Sequence, residues 1–148
     1  MTETGDTADT ADTADTAGTA DTAGTADTAG RTPGTVGLPK MSKSATAILE
    51  EWGPLEEATG PAMSTRGFTL WKNDETQAES GIWECTAGPS RWVLETNEFV
   101  HVIFGRMTVT EDGGSPVEIG PGDTVVFPLG WKGSWEIHET LRKLYVIF

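Results

Sequence analysis

The sequence predicts an all-β fold, a sandwich or barrel of short strands, for residues 66–148. After Pro61 the chain consists of short apolar runs cut by turn-forming residues. No amphipathic helix of useful length follows residue 58. All six Trp and all five Phe lie after residue 50, so the aromatic side chains that form small β-cores are confined to this part.

A different kind of sequence precedes the predicted barrel. Residues 7–30 are eight consecutive triplets, Thr-Ala-Asp or Thr-Ala-Gly, and a period of three fits neither strand nor helix. Because nothing apolar is available to pack, residues 1–43 are predicted to be a disordered tail and linker. Residues 44–65 are expected to form an N-terminal arm. Its segment Ser44–Trp52 could form one short helix, capped by Ser44 and stopped at Gly53-Pro54.

Nine strands are predicted within the barrel region. Turn-forming residues separate them: Asp112-Gly113 permits a chain reversal, and Pro121-Gly122 suits a type II turn. The predicted strands are Phe68–Lys72, Gly81–Thr86, Arg91–Glu95, Glu98–Phe104, Arg106–Thr110, Val117–Ile119, Thr124–Phe127, Trp131–Ile137 and Arg142–Phe148.

Two of these strands carry further information. In Trp131–His138 the odd positions are apolar or glycine and the even ones polar, so the odd face should point into the barrel. In Glu98–Phe104 both faces are largely apolar, with Val100, Val102 and Phe104 sharing one of them. A strand buried on both sides needs a second covering layer, either the segment before residue 68 or another subunit. This favours a homodimer.

Composition excludes several classes of function. The net charge is −13, with −5 in residues 1–40 and −8 in residues 41–148, and no basic cluster offsets it. Nucleic acid and anionic membranes would repel such a surface. No apolar run approaches the ~18 residues of a membrane span, and the acidic N-terminus does not resemble a signal peptide. The single cysteine, Cys85, is expected to be a buried thiol in a reducing compartment, and the cytoplasm is the expected location.

The segment Gly120–Gly130, with Glu98 and Gly105, resembles the two sequence motifs of the cupin superfamily. In the first family motif a glutamate is followed seven residues later by a glycine, as Glu98 is by Gly105. The second motif has Gly, Pro and Gly at the spacing of Gly122, Pro128 and Gly130. The resemblance implies a cupin double-stranded β-helix, which is a jelly-roll barrel.

The sequence is similar in particular to those of small cupins grouped with the (S)-ureidoglycine aminohydrolase cupin domain and the ethanolamine-utilisation cupins. The segments that carry this similarity are Gly81-Ile-Trp-Glu, Thr96-Asn-Glu-Phe-Val-His, Gly105-Arg-Met-Thr-Val-Thr, Pro128-Leu-Gly-Trp-Lys-Gly-Ser-Trp and Arg142-Lys-Leu-Tyr. Such segments are specific for the fold rather than for a reaction, because cupins host many unrelated chemistries.

Metal-binding cupins hold a divalent ion with two His and one Glu from the first motif and one His from the second. In this sequence the first two His positions fall on Trp92 and Leu94, or on Arg91 and Val93 with the longer family spacing. The last His position falls on Gly133, so only Glu98 of the four ligands is present. One carboxylate does not hold a first-row metal ion. We therefore expect no metal and no other cofactor.

The resemblance then predicts Glu98 in an aromatic-walled cavity, where a lone carboxylate needs a proton or a cation. Since Arg142 and Lys143 alternate on the last strand, one should face inward. We hypothesise that Lys143, followed by Tyr145, meets Glu98 and substitutes for the ion. Glu98 and Lys143 are thus the candidate catalytic residues. The candidate ligand-binding residues are Trp92, Glu98, Trp131, Trp135 and Tyr145.

Three functional interpretations stay open, and the sequence does not decide whether the protein is an enzyme. The favoured one is a metal-independent protein that binds a small molecule around Glu98. The alternative is an enzyme of the ureidoglycine aminohydrolase type, acting on a small polar substrate with Glu98 as general acid or base. A third is a non-standard metal set that includes Glu98 and His101, although His101 should point to the opposite face of its strand. His138 is expected to be solvated.

Overall fold

Eight strands form in residues 37–148, the part of the chain that this computed structural model describes. They are β1 (Glu50–Pro54), β2 (Ser64–Asn73), β3 (Ala78–Cys85), β4 (Gly88–Val93), β5 (Glu98–Glu111), β6 (Val117–Ile119), β7 (Thr124–Phe127) and β8 (Lys132–Ile147). All pairings are antiparallel, in the order β1-β2-β3-β8-β5-β6, with β4 added to β8 and β7 added to β5. The predicted all-β barrel is confirmed.

Two long strands, β5 and β8, connect the other strands of the sheet. The first half of β8 pairs with β4, its second half pairs with β3, and β5 runs beside both halves. Each long strand was predicted as two shorter ones. The predicted break in β5 at Gly105 is instead a bend, because Gly105 has a φ of 83° and stays within the strand. A side chain at this position would overlap the Thr140 carbonyl of β8, so glycine is required.

The bend in β5 also changes which residues face inward. The register between β5 and β8 shifts between Val102 and Phe104 and again after Arg106. Val100 and Val102 are buried in the core, whereas Phe104 pairs in register with Arg142 on the opposite face. The prediction that all three share one face is therefore wrong for Phe104, because a β-bulge reverses the alternation.

The expected helix over Ser44–Trp52 is wrong. A single turn forms where the Thr46 amide donates to the Lys43 carbonyl, and β1 begins at Glu50 and pairs with β2. The Trp52 ring lies against Gly67 of β2, where any side chain would overlap it. A helix of nine residues is marginal in water, so pairing with a sheet edge is the more stable arrangement.

Residues 37–49 lie against the outer face of the sheet, and from here on the name N-terminal arm refers to these residues only, because residues 50–65 of the predicted arm include β1 and the start of β2. The carbonyls of Ser44, Ala45 and Ala47 all accept hydrogen bonds from Nη1 of Arg142, at 3.0–3.1 Å. The arm thus covers part of the outer face of β8. Residues 1–36 of the predicted disordered tail lie outside the described residues, and residues 37–43 form neither helix nor strand.

The core occupies the space between the two halves of the barrel. Its buried apolar side chains include Met63, Val100, Val102, Met107, Phe127, Trp135, Ile137 and Leu141. The alternation predicted for Trp131–His138 is confirmed, since Gly133, Trp135 and Ile137 are buried and the even positions are exposed. Across residues 37–148, no helix has the length and apolar character needed to cross a membrane.

Candidate functional site

Three neighbouring strands, β3, β8 and β5, form the floor of a cavity at one end of the barrel. Residues that are opposite in register point to the same face, so their side chains form rows across the strands. The inward rows are Glu79–Ile147–Glu98, Gly81–Tyr145–Val100 and Trp83–Lys143–Val102. The carboxylates of Glu79 and Glu98 therefore lie on either side of β8, and Tyr145 and Lys143 occupy the next two inward positions of β8 itself.

A buried ion pair lies at the centre of this arrangement. Lys143 Nζ donates to Glu98 Oε1 at 2.6 Å, and the two side chains are only 5% and 11% exposed. The ammonium also lies 4.7 Å from the ring centroid of Trp83 and 4.6 Å from that of Trp135. The predicted contact between Lys143 and Glu98 is therefore present, and aromatic rings enclose its cation.

A second carboxylate, Glu79, lies at the other edge of the cavity. Its Oε1 accepts hydrogen bonds from the Tyr145 hydroxyl and from Thr69 Oγ1. Burial raises the pKa of Tyr145, and the hydrogen bond to Glu79 raises it further. The phenol thus stays protonated and acts as a donor. Gly81 makes room for it, because a side chain there would lie 3.0 Å from the hydroxyl and overlap the Phe68 carbonyl.

The cavity has a volume of about 220 Å³ and a largely apolar wall. This is below the ~300–1,000 Å³ typical of sites for drug-sized ligands, so the space suits a small molecule. Its lining residues are Trp52, Glu79, Trp83, Trp92, Glu98, Lys143, Tyr145 and Ile147.

Comparison with known proteins identifies this barrel. Residues 73–145 match the family model described as the EutQ-like cupin domain. The barrel has the cupin fold, and residues 73–145 are similar to the EutQ-like cupin domain. No protein with a curated description matches the sequence.

Solved structures of the same fold come from several organisms. The EutQ protein of Clostridium difficile is 23% identical, with a TM-score of 0.60 over 72% of this chain and 83% of that chain. A DUF861-family protein of unknown function from Pseudomonas syringae pv. tomato is also 23% identical, with a TM-score of 0.64 over 70% of this chain. The present chain covers only 45% of that longer protein. The cupin domain of Schizosaccharomyces pombe Cnp3 is 14% identical, with a TM-score of 0.51. These likenesses concern the fold.

Not all of the residues predicted to bind a ligand meet in the cavity of this cupin barrel. Trp92, Glu98 and Tyr145 line it. Trp135 is fully buried beneath it and contributes its ring face to Lys143. Trp131 lies elsewhere, packed edge-on against Phe127 at 5.0 Å and lining a different cleft with residues of β5, β6 and β7.

Sequence reasoning missed Glu79, Trp83 and Trp52. The sequence could have indicated the first two, because every second residue of a strand points to the same face, and positions 79, 81, 83 and 85 of β3 therefore all point inward. The predicted start of that strand at Gly81 left out Glu79. Trp52 was hidden because its segment was predicted to be helical, whereas it belongs to a strand that places the indole at the cavity.

The metal site implied by the cupin resemblance does not fit the residues present. Trp92 is stacked on Trp135 at 4.6 Å and donates its indole N–H to Ser90, while Leu94 packs against the core. Gly133 has no space for a side chain, because a Cβ would overlap the Trp131 ring. The remaining ligand, Glu98, is already paired with an ammonium group. Across residues 37–148, no three His, Cys, Asp or Glu side chains are grouped closely enough to hold a metal ion.

The two histidines lie away from the cavity. His101 is on the opposite face of β5 from Glu98 and contacts Thr124 Oγ1 at 3.3 Å. The two side chains therefore do not form a shared ligand set, which argues against the non-standard metal site. His138 contacts the Thr108 hydroxyl at 2.7 Å near the barrel surface.

Cys85 is on the inward face of β3 and is fully buried. Burial raises the pKa of its thiol to about 11, although the nearby charge of Lys143 acts in the opposite direction. Because the thiolate is the nucleophilic form, this shift and the burial of the side chain disfavour a nucleophilic role for Cys85.

Proposed function

We propose that this protein binds a small molecule in the cavity around Glu98 and that Lys143 replaces the metal ion of other cupins. The supporting observation is the buried Glu98–Lys143 pair at the floor of an open cavity. A buried ion pair is commonly no more stabilising than apolar residues of similar volume. Its position beside a cavity is therefore better explained by binding than by stability of the barrel.

The ammonium group of Lys143 can perform the electrostatic role of a bound ion without one. It compensates the Glu98 charge, and the indole rings of Trp83 and Trp135 favour a cation at this position. The remaining oxygen of Glu98 and the cavity-facing side of the ammonium are the polar groups that a ligand would contact.

The alternative from the sequence, an enzyme of the ureidoglycine aminohydrolase type, is less well supported by this geometry. A general base needs a lone pair that is free to accept a proton. Glu98 Oε1 instead accepts a hydrogen bond from Lys143 Nζ at 2.6 Å, so this oxygen is already occupied and is not free to accept a proton from a substrate.

A homodimer in the cytoplasm remains part of the proposal. The outer face of the sheet has an apolar groove of about 290 Å³ between the N-terminal arm and β2, β3 and β8. Its apolar lining residues are Met41, Leu70, Ile82, Leu144 and Val146. A second copy of the chain would cover this surface, and Val146→Lys should then convert the dimer to a monomer in analytical ultracentrifugation. A monomeric parent protein would contradict this part of the proposal.

A thermal-shift screen over small metabolites of every charge type tests the binding proposal. A true ligand should raise Tm progressively as its concentration increases, since it binds only the folded state. The shift should disappear in Glu98→Gln and Lys143→Met and persist in Glu136→Gln and Lys132→Met, which change exposed residues of β8. NMR of the mixture separates binder from enzyme, because an enzyme consumes the compound. Hits that survive both cavity variants would contradict the proposal.

A further inference from the structure

We infer that the ligand of this cavity is a small organic cation whose ammonium group binds at Glu79. This inference rests on the proposed function, namely that the cavity binds a small molecule. It adds the chemical class of the ligand and a residue that the sequence did not single out.

The charges that line the cavity do not cancel. Three ionisable side chains contribute to them at neutral pH: two glutamates and one lysine. Lys143 compensates Glu98 through a direct contact of 2.6 Å. Tyr145 is uncharged, since burial raises its pKa. One negative charge, that of Glu79, therefore remains in a cavity with an apolar wall.

Glu79 is stabilised by neutral donors only. The hydroxyls of Tyr145 and Thr69 both donate to its Oε1, and its Oε2 has no hydrogen-bond partner within the described part of the chain. No lysine, arginine or histidine among residues 37–148 forms an ion pair with it. A half-buried carboxylate with a free oxygen is a site for an external cation.

The walls of the cavity favour the same class of ligand. Three indole side chains, from Trp52, Trp83 and Trp92, line the same cavity as Glu79. Indoles attract alkylammonium groups through the ring quadrupole, and they pack well against the alkyl part of the ligand. The cationic side chain that lines this cavity, Lys143, lies over Trp83 and Trp135 and shows that this barrel accommodates an ammonium group between indoles.

An anionic ligand fits these charges poorly. Its natural partner would be Lys143, but that ammonium is already engaged by Glu98 and two rings. An anion would also approach the uncompensated charge of Glu79. A volume of about 220 Å³ further restricts the ligand to a small molecule.

Three probes of one shape test the inference. Choline, the neutral isostere 3,3-dimethylbutan-1-ol and the anion 3,3-dimethylbutanoate are titrated separately into the full chain, and the indole N–H signals are followed by NMR. Choline should bind at least ten-fold more tightly than the alcohol, and the carboxylate more weakly than either. n-Butylammonium should likewise bind more tightly than butan-1-ol, because a primary ammonium can also donate to Glu79 Oε2.

Variants assign the preference to Glu79. Glu79→Gln should reduce choline affinity to that of the alcohol without changing the affinity for the alcohol, whereas Glu136→Gln, at an exposed position, should change neither. Tyr145→Phe, which removes one of the donors to Glu79, should strengthen choline binding. This second variant keeps the test valid if Glu79→Gln does not fold.

Two outcomes would overturn the inference: equal binding of choline and its neutral isostere, or a cation preference that survives Glu79→Gln. In either case the proposed function stands if the probes still depend on Glu98 and Lys143. If none of the five probes binds, the inference is wrong. The metabolite screen then decides separately whether the proposed function fails with it.

Discussion

Lys143 and Arg142 are neighbours on β8 that point to opposite faces of the sheet, and each pairs with a buried glutamate from an adjacent strand. Lys143 faces inward and contacts Glu98 of β5 at 2.6 Å, while Arg142 faces outward and contacts Glu84 of β3 at 2.7 Å. The two sites differ in how fully the cation is used. The third guanidinium nitrogen of Arg142, Nη1, donates to three carbonyls of the N-terminal arm. By contrast, Lys143 has one hydrogen-bond partner among the described residues, and a cavity lies beside it.

This difference separates a structural ion pair from a candidate binding site more clearly than burial does. In the outer pair each guanidinium nitrogen has a partner, and the guanidinium also lies 5.2 Å from the Phe104 ring centroid, so it joins the arm to the barrel and offers no unused nitrogen to a ligand. The inner pair retains unused hydrogen-bonding capacity facing an open space. Removing either cation should therefore affect the protein in different ways.

The largest expected effect is that of Arg142→Met. The substitution leaves Glu84 buried without its partner and three carbonyls of the arm without their donor, which should cost about 3–5 kcal/mol of unfolding free energy. Urea denaturation measures the loss, and hydrogen exchange should show faster opening in β1. Arg106→Met, which breaks the exposed pair with Glu139, is the control and should have little effect.

The second variant, Glu84→Gln in the Arg142→Met background, should restore part of the stability, because it removes the buried charge that the first substitution left unpaired. Ligand binding in the inner cavity should be unchanged in this double variant. A loss for Arg142→Met no larger than that for Lys143→Met would remove the distinction between the two faces.

Lys143→Met should have a smaller effect on stability and a larger one on binding. Glu98 then lacks its cation, but it lies beside the cavity, where water can enter or the carboxyl can take up a proton, so we expect a loss of about 2 kcal/mol. Adding Glu98→Gln should recover most of it. Urea denaturation and ligand titration of both variants check this, and a Lys143→Met protein with full stability and full binding would contradict the role of this pair.

The inward face also carries Cys85, which gives the barrel a weakness at high pH. Burial raises the pKa of this thiol to about 11, so the folded protein holds a proton that the unfolded chain loses near the ordinary pKa of about 9. Between these values the stability contributed by the protonated thiol falls as pH rises, by roughly 1 kcal/mol for the first pH unit. The raised pKa of Tyr145 acts in the same direction at still higher pH.

Cys85→Ala should flatten the fall of unfolding free energy between pH 9 and 11, whatever its effect at pH 7. Urea denaturation at a series of pH values gives the two slopes. Equal slopes in the parent and in Cys85→Ala would show that the thiol does not titrate with the proposed shift.

Much of the barrel could be predicted from the sequence, because the apolar alternation and turn residues after Pro61 are local signals. Alternation along the last strand also predicted that either Arg142 or Lys143 points inward. The cost of an isolated buried charge then predicted that this cation contacts Glu98. The pairing of Arg142 with Glu84 did not follow, since it depends on the register between β3 and β8. Register is set by packing over the whole sheet rather than by any local pattern.

The remaining errors have the same origin. Trp52 lies in a segment whose local composition permits a helix, and only the edge of β2 makes it a strand. Phe104 was assigned to the wrong face because a bulge reverses the alternation, and a bulge is visible only once two strands are paired. Glu79 becomes part of the site only when β3, β8 and β5 are aligned.

The smallest expected effect comes from a third ion pair, which separates geometry from burial. Arg91 of β4 contacts Asp112 through Nη1 and Nη2 of its guanidinium, at 2.6 Å and 2.5 Å, but this pair is exposed at the surface. Its geometry is as good as that of Arg142 with Glu84. Since water solvates both ions when the contact breaks, Arg91→Met should lower Tm far less than Arg142→Met does.

The pH dependence of this exposed pair gives a further check. The hydrogen bond that Arg91 donates to Asp112 holds the pKa of this carboxyl below its ordinary value. The contribution of the pair is therefore present above the pKa of the unfolded chain and is lost as pH falls through the lower pKa of the folded state. The small Tm difference between parent and Arg91→Met should vanish in that acidic range. If Arg91→Met destabilised the barrel as much as Arg142→Met at neutral pH, bidentate geometry rather than burial would determine the strength of these pairs, and the contrast between the two faces of β8 would need another explanation.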